Sequence, residues 1–291
     1  MTSIRTILAA ASGGTASVGA VELGCILARR FDAHLEGYHV MADALELFRY
    51  DTGMGSGIPQ TMLDKFAADV EENAARVKAQ FVQAVGAHHM SLGKATPGEF
   101  TKTTGPSAAW LAETGYASTL VARRARFFDL TVLGRSERVV ENLHSDAVEQ
   151  TLLYSGRPIL LAPAKTPTTV GERIVIGWNG SAEAVRAMTG ALPLLASARD
   201  VCIVAVGDAH QTSAVSAVDY LAWHDVKARH VQVKKPASVG VGEQLLAAAR
   251  EQAADMLVMG GYGHMPWREF LFGGATHDIV GISLMPLLLT H

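Results

Sequence analysis

The chain has 291 residues and a formal net charge of −3; 49% of its residues are hydrophobic and 18% are charged. This length accommodates two domains of ordinary size, and the composition is typical of a folded globular protein rather than a disordered one. Lysine and arginine form no dense block, and no apolar run reaches the roughly 18 residues of a membrane span. We therefore expect neither polymeric nucleic acid nor a membrane among the partners of this protein.

The N-terminal segment MTSIRTILAAASGG resembles a short signal peptide, but its apolar stretch, ILAAA, is short and follows a single arginine. A buried first strand is therefore the favoured interpretation. Cys25 and Cys202 lie in apolar segments of different halves, which indicates buried free thiols in a reducing cytoplasm rather than a disulfide. The spacing of cysteine and histidine indicates no structural metal site.

The middle of the first half begins with a Gly-rich stretch, YDTGMGSGIPQ (50–60), which is either a lid over a neighbouring site or a disordered loop. A long amphipathic helix is predicted around 61–85, because apolar residues recur there at a spacing of three to four. We expect this stripe to pack in the core rather than to bind a ligand. Its members are Met62, Phe66, Val70, Ala74, Val77 and Phe81.

The second half alternates apolar strands with helices. Strands are predicted in RIVIGW, DVCIVAVG, KARHVQVKK, DMLVMGG and PLLLTH, and helices in SAEAVRAMTGALPLLASA, TSAVSAVDYLAWHDV and VGEQLLAAAREQAA. Apolar strands separated by helices are typical of parallel strands that are covered on both faces. With right-handed crossovers, this pattern predicts a doubly wound, Rossmann-like α/β domain with a five-stranded parallel sheet.

The two halves of the chain repeat each other. FFDLTVLGRS (127–136) matches AADMLVMGGY (253–262), and TILAAASGG (6–14) matches RIVIGWNGS (173–181). Asp129 corresponds to Asp255, and Gly134 corresponds to Gly260, in each case 126 positions further along. A Pro- and Thr-rich seam, APAKTPTTVGE, separates the copies. We therefore expect two tandem domains, at residues 1–165 and 170–291.

One segment of the second half is rich in glycine. GGYGHMPWREFLFGGAT (260–276) follows the fourth predicted strand and leads into a helix that opens at Ala275. In open parallel sheets, ligands bind outside the carboxyl ends of the strands, at the switch point. Glycines let backbone N–H groups approach phosphate oxygens, and a helix N-terminus adds partial positive charge. The spacing Gly260-x2-Gly263-x9-Gly273 therefore predicts a phosphate cradle.

On these residues the chain resembles a tandem universal stress protein, and both halves of that family cover essentially its whole length. The resemblance implies an adenine-nucleotide-binding α/β fold of the adenine nucleotide alpha hydrolase-like type, a cytoplasmic location and homodimers. It also implies that the two halves pair as a pseudo-dimer through PILLAP and PLLLTH.

The glycine loop matches the motif of the family only in part. The three glycines of the cradle agree with the family motif, but Gly274 stands where a Ser or Thr hydroxyl would face the phosphates, and Thr276 is nearby. His264, within the loop, is either a phosphate contact or a surface residue.

The strand ends of the second half carry the rest of the implied site. Asn179 replaces the acidic residue that the family carries after strand one. An asparagine keeps hydrogen-bonding capacity but loses the charge that would help to hold Mg²⁺. By the same resemblance, adenine would lie against the backbone near Val206.

The matching loop of the first half, GRSERVVENLHSDAV, contains one glycine, and Asp146 takes the place of Gly274. A carboxylate there repels a phosphate unless a metal intervenes. Ser12 stands in place of the acidic residue after strand one. We therefore do not expect a nucleotide in this half, where Arg135 and Arg138 either serve an anion or are exposed, solvated loop residues.

Catalytic patterns are weak. ASGGTAS (11–17) approaches the SGGxDS turn of ATP pyrophosphatases, but Ala16 replaces the carboxylate of that motif. The sequence shows no Ser/His/Asp or Cys/His arrangement and no carboxylate pair in the predicted cleft. The sequence therefore predicts no catalytic residues and, at most, slow ATP hydrolysis.

Three hypotheses stay open. The first is a non-enzymatic stress-response protein whose second half binds ATP or a related adenine nucleotide, with Mg²⁺, as a switch or sensor. The second is a nucleotide-free protein–protein interaction module in which both sites are degenerate and the partner is an unidentified protein. The third is a slow ATPase. The preserved glycine spacing favours the first hypothesis, whereas Asn179 and Gly274 favour the second.

Overall fold

A computed structural model gives the structure of the chain. It describes residues 3–43, 59–93, 105–135, 142–163, 165–167, 169–208, 211–234, 240–261 and 285–291. The chain divides into two compact units: an N-terminal unit, Ile4–Ser155, and a C-terminal unit, Gly156–His291, which also takes in Met1–Ser3. None of the described helices is both long and apolar enough to cross a membrane.

The N-terminal unit alternates strands and helices. Its elements are β1 (Thr6–Ala10), α1 (Thr15–Phe31), β2 (His34–Met41), α2 (Gln60–Ala87), β3 (Ser91–Leu92), β4 (Ser107–Thr114), α3 (Ala117–Ala125), β5 (Leu130–Gly134) and α4 (Asn142–Tyr154). The strands lie in the order β3-β4-β2-β1-β5 and all of their pairings are parallel.

The C-terminal unit repeats this plan. Its elements are β6 (Ile159–Ala162), β7 (Arg173–Trp178), α5 (Ala182–Gly190), α6 (Leu192–Ala196), β8 (Asp200–Val206), α7 (Gln211–Ala222), β9 (Ala228–Val233), α8 (Val241–Glu251), β10 (Met256–Gly260) and β11 (Leu287–Thr290). The strands lie in the order β6-β11-β10-β7-β8-β9, parallel except where β6 meets β11. The predicted doubly wound parallel α/β fold is confirmed.

The antiparallel pair joins the last strands of the two sequence repeats. Leu161 of β6 pairs with Leu287 of β11, and Ile159 pairs with Leu289. All four residues of each strand are buried, as expected for apolar strands that have neighbours on both faces. The predicted pairing of PILLAP with PLLLTH is therefore confirmed.

Matching residues of the repeat have matching contacts. The carboxylate of Asp129 accepts hydrogen bonds from the backbone N–H groups of Arg5 at 2.8 Å and Thr6 at 3.0 Å. The carboxylate of Asp255 accepts from the N–H groups of Glu172 at 3.1 Å and Arg173 at 2.9 Å. Each aspartate thus ties the start of its fourth long strand to the start of the first, so the repeat is one of structure as well as of sequence.

Two details of the helices differ from the predictions. The stripe predicted to be core along 61–85 is buried only at its C-terminal end, at Val77 and Phe81, while the Met62 side chain is 53% exposed. The helix itself is longer than predicted. Its side chains are buried only in the part of the helix that packs against other elements. The single helix predicted from SAEAVRAMTGALPLLASA is instead two helices, α5 and α6. Pro193 lies in the first turn of α6, where a residue without an N–H is tolerated.

Candidate functional site

The strand order of the C-terminal unit defines a switch point. β7 has β8 on one side and β10 on the other, because the chain runs outward from β7 to β8 and β9 and then crosses back to β10. In sheets of this kind, the crevice at the carboxyl ends of such strands is where ligands bind. Asn179, Val206 and Gly260, all predicted site residues, end or follow these three strands. The structure therefore brings them to one edge of one sheet.

The turn after β7 is tightly organised. Gly180 has a φ of +69°, a left-handed conformation that a side chain disfavours. The Asn179 side-chain oxygen accepts a hydrogen bond from the Ser181 N–H at 3.1 Å. The Ser181 hydroxyl in turn accepts from the Ala184 N–H at 3.2 Å and caps α5. Because the oxygen of Asn179 is used in the turn, the exposed side chain offers its amide NH₂, a donor that suits an anion better than a cation.

The N-terminal turn of α5 already carries a negative charge. Hydrogen bonds from its own backbone N–H and from Ser181, together with the charges of Arg186 and His291, hold the pKa of the Glu183 carboxyl below its usual range. A guanidinium nitrogen of Arg186 also lies 2.8 Å from a carboxylate oxygen of Glu183. A carboxylate at this helix terminus takes the place that the helix dipole would offer to a phosphate. A phosphate bound at this edge would therefore have to lie clear of the Glu183 carboxylate.

Gly260 has a structural role. A Cβ added at this residue would lie 2.5 Å from the backbone carbonyl carbon of Glu183, so the strand end packs directly against the start of α5. Gly134 is in the same position, since its Cβ would lie 2.2 Å from the backbone oxygen of Ala16 in α1. The sequence pattern points to Gly260 as a phosphate-binding residue, yet close packing alone requires a glycine there.

A residue of β9 to which the sequence pattern assigns no role contacts the end of β8. Val206 pairs with Val233 in β9, and the next residue, Gly207, donates its N–H to the Val233 carbonyl at 2.8 Å. The Gly207 carbonyl accepts a hydrogen bond from the side-chain amide of Gln232. The Gln232 side-chain oxygen is buried and makes no hydrogen bond within the part of the chain that the structure describes. In the sequence, the feature that could have indicated this contact is the polar Gln232 within the predicted strand KARHVQVKK.

Five predicted site residues lie outside the residues that the structure describes, namely Gly263, His264, Gly273, Gly274 and Thr276. The described part of the neighbourhood ends at Gly261, whose N–H donates to the Thr290 carbonyl at 2.7 Å. Within the described ranges, no group of three or more His, Cys, Asp or Glu side chains is placed to hold a metal ion.

The matching turn of the N-terminal unit already has protein partners. Gly13, which corresponds to Gly180, has a φ of +91°. Its carbonyl accepts a hydrogen bond from Arg76 of α2 at 3.1 Å, and a Cβ added at Gly13 would lie 2.7 Å from the Val77 side chain. Helix α2 therefore covers the turn at which the resemblance would put a ligand. Ser12 is exposed.

Arg135 corrects one expectation. Of the two alternatives for this residue, an anion contact and an exposed, solvated position, the second is wrong, because Arg135 is only 5% exposed. Burial lowers the pKa of its guanidinium to about 10. Its exposure was misjudged because the residue follows directly on β5 and stays within the packed end of that strand. Arg138 and the side chain of Asp146 lie outside the described residues.

Comparison with known proteins gives structural matches only. No protein-family model matches the sequence, and no curated protein matches it. A universal stress protein from Archaeoglobus fulgidus DSM 4304 is 14% identical, covers 98% of this chain and 96% of its own length, and superposes with a TM-score of 0.70. A candidate universal stress protein from Pseudomonas aeruginosa UCBPP-PA14 is 14% identical, with coverages of 99% and 93% and a TM-score of 0.53.

A functionally unknown protein from Pseudomonas aeruginosa PAO1 is similar to the same extent, at 14% identity, coverages of 99% and 92% and a TM-score of 0.54. These similarities extend over nearly the whole length of both chains in each pair. They therefore include both of the α/β units described above. The chain therefore has the fold of the universal stress proteins.

Proposed function

We propose that the C-terminal unit binds ATP or a related adenine nucleotide, and that the protein is a non-enzymatic stress-response protein for which this nucleotide is a switch or a sensor. The observation that carries the proposal is the contrast between the two turns after strand one. In the N-terminal unit, α2 contacts that turn through Arg76 and Val77. In the C-terminal unit, Asn179 and Gly180 are exposed at the carboxyl edge of the sheet.

The chemistry of this edge supports a phosphate-bearing ligand. Asn179 offers amide hydrogens, and the glycine spacing Gly260-x2-Gly263-x9-Gly273 of the sequence supports backbone donors in the loop that follows β10. Donors of this kind bind phosphate oxygens without requiring a metal. We infer that Mg²⁺, if present, is bound by the phosphates rather than by protein carboxylates.

The direct test is recovery of the ligand. The purified protein is denatured, and released small molecules are identified by mass spectrometry; the proposal expects an adenine nucleotide. Protein from which ligand has been removed is then titrated with ATP, with and without Mg²⁺, by calorimetry and thermal shift. No nucleotide released and no heat or shift on titration would overturn the proposal.

A paired substitution tests where the nucleotide binds. Gly263→Leu puts a bulky side chain into the expected cradle and should abolish ATP binding while leaving the protein folded. Gly86→Leu is the control, because a Cβ at Gly86 meets nothing within 4 Å. It should bind ATP as the unmodified protein does. Wild-type affinity in Gly263→Leu would contradict the assignment of the glycine loop.

One observation favours the second candidate function, a nucleotide-free interaction module. Glu183 already places a carboxylate at the N-terminus of α5, so this helix terminus does not attract a phosphate. Under this alternative, the exposed edge binds an unidentified protein, and titration with ATP gives neither heat nor a thermal shift. A slow ATPase remains the third candidate, and it requires a metal-dependent rate that Gly263→Leu removes.

We also infer a cytoplasmic location and a homodimer, both from the resemblance stated above. The two cysteines, Cys25 and Cys202, are free and buried, which is compatible with a reducing compartment. Light scattering on the purified protein measures the mass directly. A mass of one chain across the micromolar range would rule out the homodimer.

A further inference from the structure

The side chain of Gln232 is oriented by the end of β8. Its amide nitrogen donates to the carbonyl oxygen of Gly207. A carbonyl oxygen only accepts hydrogen bonds, so the amide must turn its NH₂ toward Gly207 and its oxygen away from it. The orientation of this amide therefore follows from its partner, and the position of its free acceptor is set by the fold.

That acceptor is buried and unsatisfied. The Gln232 oxygen is buried and makes no hydrogen bond to any described residue, although the side chain as a whole is only half-buried. A buried acceptor without a donor is unfavourable, and such groups in native proteins call for an explanation. A ligand that supplied an N–H at this point would satisfy it.

The acceptor belongs to the C-terminal unit alone. Tyr38 and Val204 are matching residues, because they pair with Ala10 and Gly177 of the repeated first strand. Tyr38 pairs in turn with Leu111, and Val204 pairs with Val231. The next residue in β9 is Gln232, and the next residue in β4 is Ala112. The N-terminal unit therefore has a methyl group where the C-terminal unit has an amide.

We propose that Gln232 reads the base of the bound nucleotide: its side-chain oxygen accepts a hydrogen bond from the exocyclic amino group of a 6-aminopurine at the end of β8. This inference rests on the proposed function, which puts adenine beside Val206. A 6-oxopurine would set a carbonyl oxygen against the Gln232 oxygen, and two acceptors repel each other. Gln232 is thus a specificity-determining residue that distinguishes adenine from hypoxanthine.

The test compares ATP with ITP, which differ at the 6-substituent and in the proton that ITP carries on N1, and which share the ribose and the phosphates. The unmodified protein should bind ATP about tenfold more tightly than ITP, the size of effect expected when one hydrogen bond to a buried group is lost. Gln232→Met keeps the length of the side chain and removes the acceptor. It should lower ATP affinity and bring the ratio of the two affinities close to one.

Gln252→Met is the matched control. Gln252 follows α8 and precedes β10, so it lies at the amino end of the sheet, opposite the site, and its variant should keep the tenfold ratio. Because both ligands meet the same variant, a general loss of folding changes both affinities and not their ratio. Thermal unfolding of each variant checks the fold independently.

The outcomes separate the two proposals. If the unmodified protein binds ATP and ITP equally, or if Gln232→Met keeps the wild-type ratio, the role of Gln232 is wrong and nucleotide binding stands. If the unmodified protein binds neither nucleotide, the proposed function fails and the role of Gln232 fails with it. The unmodified protein supplies the first comparison even if Gln232→Met does not fold.

Discussion

The two units share a scaffold and differ at the edge where a ligand would bind. Gly13 and Gly180 have the same left-handed conformation, and Gly134 and Gly260 make the same close approach to the helix that follows strand one. The turn is covered by α2 in the N-terminal unit, whereas Asn179 in the C-terminal unit is exposed. Residues that build the turn have thus been retained in both copies, so their presence is evidence for the fold and not by itself for a ligand.

A second difference lies beside the same turn. Ala11 of the N-terminal unit lines a small groove between α1 and α2, together with Ser17 and Phe81. The matching residue of the C-terminal unit is Trp178, which is 8% exposed and donates its indole N–H to Ser213 at 3.1 Å. The two units thus place side chains of very different size at this matching position.

The largest effect is expected where the shared scaffold is tightest. Gly134→Val and Gly260→Val each put a side chain into backbone atoms, at 2.2 Å and 2.5 Å respectively. Each variant should lose about 3 kcal/mol of unfolding free energy, because backbone cannot move aside as a flexible side chain can. Urea denaturation measures the loss, with Gly86→Val as the control in open space. A Gly260→Val variant as stable as that control would show that the glycine is kept for a ligand alone.

The repeated aspartates offer a graded comparison. Asp129 accepts from two backbone N–H groups and also from the Thr6 hydroxyl at 3.2 Å, whereas Asp255 accepts from two N–H groups. Asp129→Ala should therefore destabilise by about 2 kcal/mol and Asp255→Ala by about 1 kcal/mol, since each change leaves strand-end donors without their acceptor. The same denaturation experiment ranks the two. If Asp255→Ala were the more destabilising change, these hydrogen bonds would not determine the loss of unfolding free energy.

Much of the scaffold could be predicted from the sequence, because apolar runs and the repeat specify it locally. RIVIGW is the strand Arg173–Trp178, and the strand predicted in DVCIVAVG runs from Asp200 to Val206. What failed depends on tertiary packing: whether Met62 is covered and whether Arg135 is buried. The role of Gln232 depends on the register of β8 against β9, which no local pattern encodes.

Because the edge of the C-terminal unit is exposed, we expect an added negative charge to change ATP affinity when it is placed in that unit and not when it is placed in the other. Asn179→Asp keeps an oxygen for the Ser181 N–H but adds a charge, so ATP affinity without Mg²⁺ should fall about fivefold, the effect of roughly 1 kcal/mol of repulsion in water. Added Mg²⁺ should restore it, as carboxylates bind that ion. Ser12→Asp, the matching change in the N-terminal unit, should leave ATP binding unaltered. Equal responses of the two variants would contradict a site confined to one unit.

The smallest effect is expected from pH, and among the described histidines it is confined to the N-terminal unit. Burial lowers the pKa of His39, which is 2% exposed, and burial also lowers the pKa of His34. At His39 the charge of Arg76 acts in the same direction and the hydrogen bond to the Ala11 carbonyl, at 2.7 Å, opposes both.

Because each folded pKa lies below that of the unfolded chain, near 6.5, the unfolded state takes up more protons as the solution is acidified. The stability contributed by the neutral rings is therefore fully present above pH 6.5 and declines as the pH falls below it. Hydrogen exchange at pH 7.5 and pH 5.5 should show protection lost in β1, β2 and β4 before β7, β8 and β10. His39→Phe, which cannot be protonated, should reduce this difference, and equal acid sensitivity of the two sets of strands would show that burial of these histidines does not control it.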